Sequence, residues 1–414
     1  MKVLLGILLL VGQSALAAPS EVDDYHWQGV ERIVAIGDIH GDYANYIKIL
    51  EAAELINSRG KWIGGETHLV QTGDIPDRGP DTTEIIQHLQ KLSKQAARKG
   101  GQVHALIGNH EAMNVYGDLR YVTEGEYQAF VTRNSDELRD RYYDLVLQNL
   151  QETDPEEFAK IDENYREEWD KTHPLGWVEH RQAWDPAWNP EGEYALWVLG
   201  NKVAVQINDL IFLHGGISGA YCQNSLESLT AKTREGLRNF ASADRSILED
   251  EYGPLWYRGL SGQEPRAPVE TVDAILQQHN ASHIVVGHTP TSGVIWPRYD
   301  GKVIQIDTGI AAYYGGHMGY LEINSDGLFA GYPDGKVKLP ETEEDLVPYL
   351  EQVIALSPGN SHLQNMLNRL QAPPATAVNE ADQAGADKGP EATDIDAEAA
   401  GEQPAKLPIC GISR

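Results

Sequence analysis

The stretch RIVAIGDIHGDYANY, residues 32–46, decides the fold. Its first half is a short apolar run that is typical of a buried strand, and the polar segment GDIHG follows that run directly. Asp38 and His40 add nothing to a hydrophobic core at this point. In sheets with crossover helices, ligands bind beyond the carboxyl ends of the strands. We therefore expect both side chains to face a ligand site.

Four further apolar runs end in the same way. The run HLVQT continues into GDIPDRG, VHALI into GNHE, LIFL into HGG, and HIVV into GHT. Each exit places a side chain that can bind a metal ion beside a glycine. With the first stretch they supply the candidate ligands Asp38, His40, Asp74, Asn109, His214 and His288. Because such loops converge at one end of a sheet, we expect them to share one crevice.

The donor types limit which ions can bind. Mixed oxygen and imidazole donors favour a first-row cation such as manganese, iron or zinc over calcium or magnesium. The set contains no cysteine, which argues against a structural zinc site built from thiolates. The donors are too many for one tetrahedral ion, and they match two divalent ions that share a bridging carboxylate.

The chain around these exits alternates strand-like and helix-like segments. Helices are predicted over 42–56 and 81–97, and Asp81 with Glu84 has the spacing of a capping box. Short strands joined partly by helices indicate an α/β fold, with a mixed sheet or two stacked sheets covered by helices.

In this order the motifs GDIHG, GDIPDRG, GNHE, HGG and GHT resemble those of the metallophosphoesterases, specifically the phosphoprotein phosphatase family. The stretches GNHEAMNVYGDLRYV and PLWYRG are similar to those of the Shewanella-like branch of bacterial-type protein phosphatases. The resemblance runs over about 32–324. Its one small departure is Pro76, where many relatives have an aliphatic residue, and Pro76 is not a candidate ligand.

The resemblance implies two stacked mixed β-sheets flanked by helices, a four-layer sandwich with two divalent metal ions at its crest. It assigns the six ligands by position. The first ion takes Asp38 and His40, Asp74 bridges, and the second ion takes Asn109, His214 and His288. Two such ions lower the pKa of a shared water and bind phosphoryl oxygens, so the expected nucleophile is a bridging hydroxide.

Further side chains are candidates for the remaining chemistry. His110 follows Asn109 and is the candidate general acid for the leaving group, and the family pattern implies that Asp77 hydrogen-bonds it. Arg78 and Arg258 are candidates for binding the phosphate, since a guanidinium matches its oxygens in pairs. Asn109 is a candidate for that contact as well. Arg258 has two alternatives, a helix cap or a stack on the neighbouring tryptophan.

The chain divides into four predicted parts. Residues 1–17 read as a signal peptide, which predicts export to the periplasm, with secretion as the alternative. Residues 18–371 form the catalytic domain, and within it 120–194 is an acidic helical insertion expected to overhang the cleft as a partial lid. Residues 372–414 are predicted to be a mostly disordered acidic tail, because the stretch 372–406 has almost no large apolar side chain.

The insertion contains Trp169, Trp177, Trp184 and Trp188. We expect these side chains to form the insertion's own small core. The competing hypothesis is that its tryptophans or tyrosines provide the apolar wall that a phosphotyrosine ring needs.

Together these features predict a phosphomonoesterase, most directly a protein phosphatase acting on phosphoproteins or phosphopeptides, with Ser/Thr or Tyr preference open. The formal net charge of −29 argues against nucleic acid as a partner. A diadenosine-polyphosphate hydrolase of the same fold is the alternative, and a non-catalytic metal-binding protein is a more distant one. No membrane span is predicted. The oligomeric state and any bond between Cys222 and Cys410 are not decided by the sequence.

Overall fold

A computed structural model describes residues 25–240, 246–372 and 410. The predicted signal peptide lies outside these residues, and so does the predicted disordered tail except for Ala372 and Cys410. The strands are β1 His26–Trp27, β2 Ile33–Ile36, β3 His68–Gln71, β4 Gln102–Ala105, β5 Ala204–Ile207, β6 Leu210–Leu213, β7 His283–Val286, β8 Trp296–Arg298, β9 Val303–Gln305, β10 Tyr320–Asn324, β11 Gly327–Tyr332 and β12 Gly335–Lys338.

The helices alternate with these strands along much of the chain. They are α1 Tyr43–Ala52, α2 Thr82–Ala97, α3 Asn109–Tyr116, α4 Glu124–Gln128, α5 Ser135–Thr153, α6 Pro155–Phe158, α7 Tyr165–Thr172, α8 Trp177–Trp184, α9 Glu193–Gly200, α10 Leu226–Arg238, α11 Ser246–Glu249, α12 Val269–His279, α13 Leu346–Leu356 and α14 Ser361–Gln371. Among the described residues, no helix combines the length and the apolarity needed to cross a membrane.

Two mixed sheets form the centre of the molecule. One has the strand order β12-β11-β10-β2-β3-β4, and the other has the order β1-β5-β6-β7-β9-β8. In the first sheet β2, β3 and β4 are parallel neighbours. In the second sheet β6, β7 and β9 are parallel neighbours. The carboxyl ends of parallel neighbours lie at the same edge, so each sheet gathers its strand exits there.

The side chains of β2 show how the layers are stacked. Ile33 and Ala35 pack in a core that also contains Phe212 and Val285 of the second sheet. The alternate residues Val34 and Ile36 pack in another core, shared with residues of α1 and α2. Successive strand residues point to opposite faces, so β2 is buried on both sides. The predicted arrangement of two stacked mixed sheets flanked by helices is confirmed.

Two local predictions need correction. Helix α1 ends at Ala52, short of the predicted 56, because the chain turns through a left-handed residue at Glu54. The helix predicted from Asp81 begins as expected, but the Asp81 side chain makes no capping hydrogen bond, so the capping box does not form. The backbone N–H of Asp81 instead donates to Gly41 O, at 3.0 Å.

The segment predicted as an insertion is helical and contains α4 to α8 and the start of α9. Its aromatic side chains pack mainly on one another. The ring of Tyr142 lies 5.3 Å from that of Trp177 and 5.0 Å from that of Trp188. Trp169 stacks on His173 at 4.1 Å. Of the four tryptophans, Trp184 differs, because it belongs to the main core. The division of the chain into domains and the role of the insertion as a lid stay predictions.

A disulfide joins Cys222 to Cys410 across 188 positions of sequence. Cys222 is buried in the loop that follows β6. The pairing that the sequence left undecided is therefore present, and it ties Cys410 to the loop that follows β6.

Candidate active site at the strand ends

Every candidate ligand lies just beyond the carboxyl end of a strand, in a loop or at the start of the helix that follows. Asp38 and His40 follow β2, and Asp74 follows β3. The short turn after β4 leads into Asn109 and His110, the first two residues of α3. The remaining ligands follow β6 and β7 and are His214 and His288. These five loops, here called the crest, bring together all the ligands that the sequence analysis selected.

The backbone of the crest is unusual. Six of its non-glycine residues have φ between 46° and 72°, namely His40, Asp74, Asp77, Arg78, His288 and Ser292. Left-handed conformations cost a non-glycine residue of order 1–3 kcal/mol, and they persist only where surrounding contacts enforce them. Here the sharp turns aim successive side chains at a common centre as the chain leaves each strand.

The glycines of the motifs allow the carboxylates to approach closely. A Cβ on Gly287 would lie 2.5 Å from Asp38 Oδ1, and a Cβ on Gly108 would collide with Asp74 Oδ1. Glycine is therefore required at positions 108 and 287 by the acidic side chains packed against them.

One group of donors surrounds Nε2 of His214. That nitrogen lies 2.9 Å from Asn109 Oδ1, 3.0 Å from His288 Nδ1 and 3.2 Å from Asp74 Oδ2. All four side chains are buried. The outer nitrogen of each histidine contacts a backbone carbonyl: His214 Nδ1 lies 3.0 Å from Thr72 O. His288 Nε2 lies 3.1 Å from the carbonyl oxygen of residue 256.

These contacts fix the tautomers. A carbonyl oxygen can only accept, so the outer nitrogens carry the protons and the inner nitrogens expose lone pairs. His214 Nε2 and His288 Nδ1 then face each other with no proton between them, beside the carboxylate of Asp74. Such a set of converging lone pairs fits a divalent cation, which is the partner that imidazole and carboxylate donors share.

A second group of donors shares the same carboxylate. His40 Nε2 lies 3.9 Å from Asp74 Oδ2 and 4.0 Å from Asp38 Oδ2, and His40 Nδ1 contacts Pro76 O at 3.1 Å. The ring of His110 also belongs to this group, with Nε2 3.8 Å from Asp74 Oδ2. Asp74 is common to both groups, as a bridging carboxylate must be.

The pKa shifts of the buried side chains at this centre also favour bound cations. Burial raises the pKa of Asp38 well above its usual value, and the neighbouring carboxylates of Asp307 and Asp74 raise it further. Burial likewise raises the pKa of Asp307 to about 6. Burial lowers the pKa of His40 to about 3, which keeps its ring neutral. Packed carboxylates and neutral imidazoles fit bound divalent metal ions.

His110 is held by a buried carboxylate. Its Nδ1 lies 2.5 Å from Asp77 Oδ2, and Asn114 Nδ2 donates to the other oxygen of Asp77 at 3.0 Å. Burial alone would lower the pKa of His110, but the carboxylates of Asp74 and Asp77 raise it above its usual value. The ring is thus oriented with Nδ1 toward Asp77 and Nε2 toward the donors around Asp74.

The two candidate arginines occupy different settings. Arg258 donates from Nη1 to His288 O and, at 3.2 Å, to Thr289 Oγ1. Its side chain makes no capping hydrogen bond to the 3₁₀ turn that follows it, so the alternative role as a helix cap is not seen. Arg78 lies between two aromatic rings, 3.9 Å from the centroid of Tyr121 and 4.7 Å from that of Tyr313.

Sequence reasoning missed two buried acidic residues at or beside the crest. Asp307 directly follows the run that contains β9, so it is a further strand exit of the kind already described. Glu111 stands in the GNHE motif, and its carboxylate accepts the backbone N–H groups of Asp74, Ile75 and Gly108, each at 2.8 Å. Its pKa is raised to about 7 by burial and by Asp74. The strand-exit rule would have found Asp307, whereas a positioning residue such as Glu111 leaves no comparable signal.

Known proteins resemble this chain over the same region. A family model described as calcineurin-like phosphoesterase matches residues 31–292. An uncharacterised protein of Schizosaccharomyces pombe is 31% identical over 301 residues, 71% of this chain and 77% of that protein. Shewanella-like protein phosphatase 1 of Plasmodium berghei is 29% identical over 342 residues, 79% of this chain and 81% of that protein.

A solved structure has the same fold. The crystal structure of a cold-active protein-tyrosine phosphatase from a psychrophilic Shewanella species is 28% identical, with a TM-score of 0.57 over 76% of this chain and 82% of that one. The family match spans the crest from Asp38 to His288. The chain therefore belongs to the calcineurin-like phosphoesterase family and is a phosphoester hydrolase.

Proposed function

We propose that this hydrolase is a protein phosphatase that works with two divalent metal ions. The observation that carries the proposal is the Asp74 carboxylate, which two groups of inward-facing donors share. The names of the relatives support the substrate class, since one is called a protein phosphatase and another a protein-tyrosine phosphatase.

Six side chains would hold the ions. They are Asp38 and His40 on one side, Asp74 between, and Asn109, His214 and His288 on the other. When bound, the ions supply Lewis acidity toward the phosphoryl oxygens and lower the pKa of a bound water. Manganese, iron and zinc all suit these donors, and we propose manganese for the first assays.

The chain's own residues complete the reaction. We assign His110 as the acid that protonates the leaving oxygen, because Asp77 holds Nδ1 and turns Nε2 toward the centre. Asp77 acts through that imidazole and is a positioning residue. We assign Arg258 and Arg78 to the phosphate, with Arg258 anchored on the loop that carries His288.

The aromatic wall for a phosphotyrosine ring is better placed at Arg78 than in the insertion's tryptophans. Tyr121 lies 5.2 Å from the ring of His110, and Tyr314 lies 5.2 Å from the ring of His40. Tyr313 is 45% exposed and is not part of the hydrophobic core, so its ring is accessible to a substrate. We propose that Tyr121 and Tyr313 line the path of the scissile residue.

Export to an oxidising compartment such as the periplasm is part of the proposal. It is supported by the disulfide between Cys222 and Cys410, since disulfides are rare in reducing compartments.

The test uses the full chain with manganese. The specificity constant is measured on an aryl phosphate, on phosphotyrosine and phosphoserine peptides of one sequence, and on diadenosine tetraphosphate, before and after chelation. We expect metal-dependent turnover with phosphopeptides preferred over the dinucleotide. Faster turnover of the dinucleotide would replace the proposal by the nucleotide hydrolase. Absence of any metal-dependent turnover would leave a metal-binding protein.

A further inference from the structure

A cavity of about 150 Å³ lies beside the crest, between the loop after β7, the β8–β9 hairpin and α14. Its walls include Ser261, Thr289, Trp296, Arg298, His362 and Arg369. His362 and Arg369 stand seven positions apart on α14, which places them on one face of that helix. We call this cavity the α14 pocket.

The α14 pocket is cationic in an acidic protein. Two arginines and one histidine line it, and none of the described residues in its wall is aspartate or glutamate. The whole chain has 62 acidic residues against 33 lysines and arginines. A concave surface whose described wall residues include two arginines and no carboxylate differs from the acidic rest of the chain, and it favours an anion.

The guanidinium of Arg298 is held in place. Its Nε donates to Gln305 Oε1, and Gln305 is itself buried and lines the pocket. The group also packs on the bare Cα of Gly262, where a Cβ would collide with it. A guanidinium fixed in this way keeps its remaining donors in a defined fork, which suits the paired oxygens of a carboxylate or phosphate.

A buried hydroxyl also lacks a partner at this place. Ser261 is 4% exposed, and its Oγ forms no hydrogen bond among the described residues. Buried polar groups in folded proteins are nearly always hydrogen-bonded, so an unpartnered hydroxyl in a cavity wall indicates a ligand or water there.

The pocket and the proposed phosphate site are neighbours. Thr289, which lines the pocket, directly follows His288, and its Oγ1 accepts a hydrogen bond from Arg258 at 3.2 Å. On the other side, the backbone N–H of Ser261 donates to Arg258 O at 3.0 Å. Arg258 thus contacts two segments that line the pocket, so a phosphate bound by Arg258 would lie close to the pocket.

We propose that the α14 pocket binds a second anionic group of a peptide substrate, carried a few residues from the phosphorylated residue that is hydrolysed. The inference rests on the proposed protein phosphatase function and adds an acidic sequence preference to it. The size of the cavity fits this proposal. Its volume of about 150 Å³ corresponds to about five water molecules of roughly 30 Å³ each, which is enough for one oxyanion group.

The proposed preference for acidic peptides depends mainly on residues outside the segment that the family model matches. That match ends at residue 292, and Trp296, Arg298 and the whole of α14 lie after it. The pocket is therefore built mostly from segments that the common family model does not include.

The test compares phosphopeptides that differ at one flanking position. A neutral parent peptide is altered by a single glutamate at each of several positions on either side of the phosphorylated residue. In a parallel series, a non-hydrolysable phosphonate residue replaces the glutamate at the same flanking position. Comparing the two series separates recognition of a carboxylate from recognition of a phosphate. The specificity constants are measured with manganese for the unaltered chain, for Arg298→Gln and for Arg369→Gln. Each value is divided by that enzyme's constant on an aryl phosphate, so that changes at the centre cancel.

We expect the best anionic position to raise this ratio about tenfold, which corresponds to one charge-assisted contact. Arg298→Gln and Arg369→Gln should each reduce the preference to about twofold. Arg141→Gln provides the matched control, because Arg141 is 63% exposed on the insertion and lines no part of the pocket. Equal turnover of acidic and neutral peptides would overturn the inference, as would a preference that survives both substitutions.

A binding measurement separates a failure of the anion-pocket inference from a failure of the protein phosphatase proposal. The best glutamate peptide, with serine in place of phosphoserine, is titrated by calorimetry into the unaltered chain and into Arg298→Gln. If aryl phosphate is hydrolysed but no phosphopeptide is, the protein phosphatase proposal fails. Peptide binding that Arg298→Gln abolishes would still support an anion pocket, whereas absence of binding would overturn it.

Discussion

The crest and the helical insertion are both rich in charge, but they place it in opposite ways. In the crest, Asp38, Asp74 and His214 are buried within hydrogen-bonding distance of other polar groups. In the insertion, Arg166 pairs with Asp140 at 2.6 Å while their side chains stay 36% and 60% exposed. Exposed ion pairs of this type contribute roughly 0–1 kcal/mol to stability.

The degree of burial distinguishes the charged side chains of the crest from those of the insertion. A buried carboxylate or imidazole carries a desolvation cost of several kcal/mol unless it is compensated, so its retention indicates a function or a missing partner. The charged residues of the insertion face solvent, whereas in our proposal those of the crest bind divalent cations. The aromatic residues also fall into two sets, since most insertion rings pack on each other, while Tyr121 at the start of the insertion and Tyr313 lie on either side of Arg78.

The largest difference between the two regions should appear on removing one carboxylate charge. Asp74→Asn is expected to lower the specificity constant on an aryl phosphate by roughly 1,000-fold or more, because both donor groups use that carboxylate. Asp140→Asn makes the same change in the insertion and should stay within about twofold. An Asp74→Asn protein with near-normal activity would remove the distinction between the regions.

His110 should show the next largest effect. His110→Asn is expected to lower kcat by roughly 100-fold on a phosphoserine peptide and much less on p-nitrophenyl phosphate, whose leaving group needs little protonation. Asp77→Asn should cost roughly tenfold alone and add little to His110→Asn, since the two act as one unit. His173→Asn is the control in the insertion. Additive losses in the double variant would contradict the assigned relation.

Glu126 tests the junction of the two regions. It lies on α4 at the start of the insertion, and its carboxylate accepts the backbone N–H of Asp77 at 2.9 Å. Glu126→Ala leaves that buried N–H unpaired, so unfolding should require about 1–3 kcal/mol less and activity should fall roughly fivefold. Glu157→Ala, on the exposed α6, should change neither. Denaturant titration measures the first effect, and unchanged stability would show that the junction is not rigid.

The smallest expected effect concerns substrate preference. Tyr121→Leu should reduce the ratio of phosphotyrosine to phosphoserine specificity constants about threefold, because its ring lies beside Arg78 and His110. Tyr143→Leu in the aromatic cluster of the insertion should leave the ratio unchanged. If only the second substitution altered the ratio, the phosphotyrosine wall would belong to the aromatic cluster around Tyr143 instead of Tyr121.

The sequence predicted most of the fold and of the crest because both depend on local patterns. A buried strand followed by glycine and a donor side chain can be recognised within ten residues, and parallel pairing brings such exits together. The roles assigned to these residues stay predictions. Contacts between distant segments left no such pattern, as with Glu126 on Asp77 and the bond of Cys222 to Cys410. The capping box predicted from Asp81 and Glu84 does not form, because the conformation of the turn before α2 leaves the Asp81 side chain without a capping hydrogen bond.

The most direct measurement is the metal content of the purified full chain after loading with manganese and removal of the excess. The account predicts about two divalent ions per chain, with Asp74→Asn retaining fewer than about one and Asp140→Asn retaining both. Two ions bound by the Asp74→Asn variant, or undiminished phosphopeptide hydrolysis by a chain stripped of metal, would contradict the shared carboxylate at the centre of the proposal.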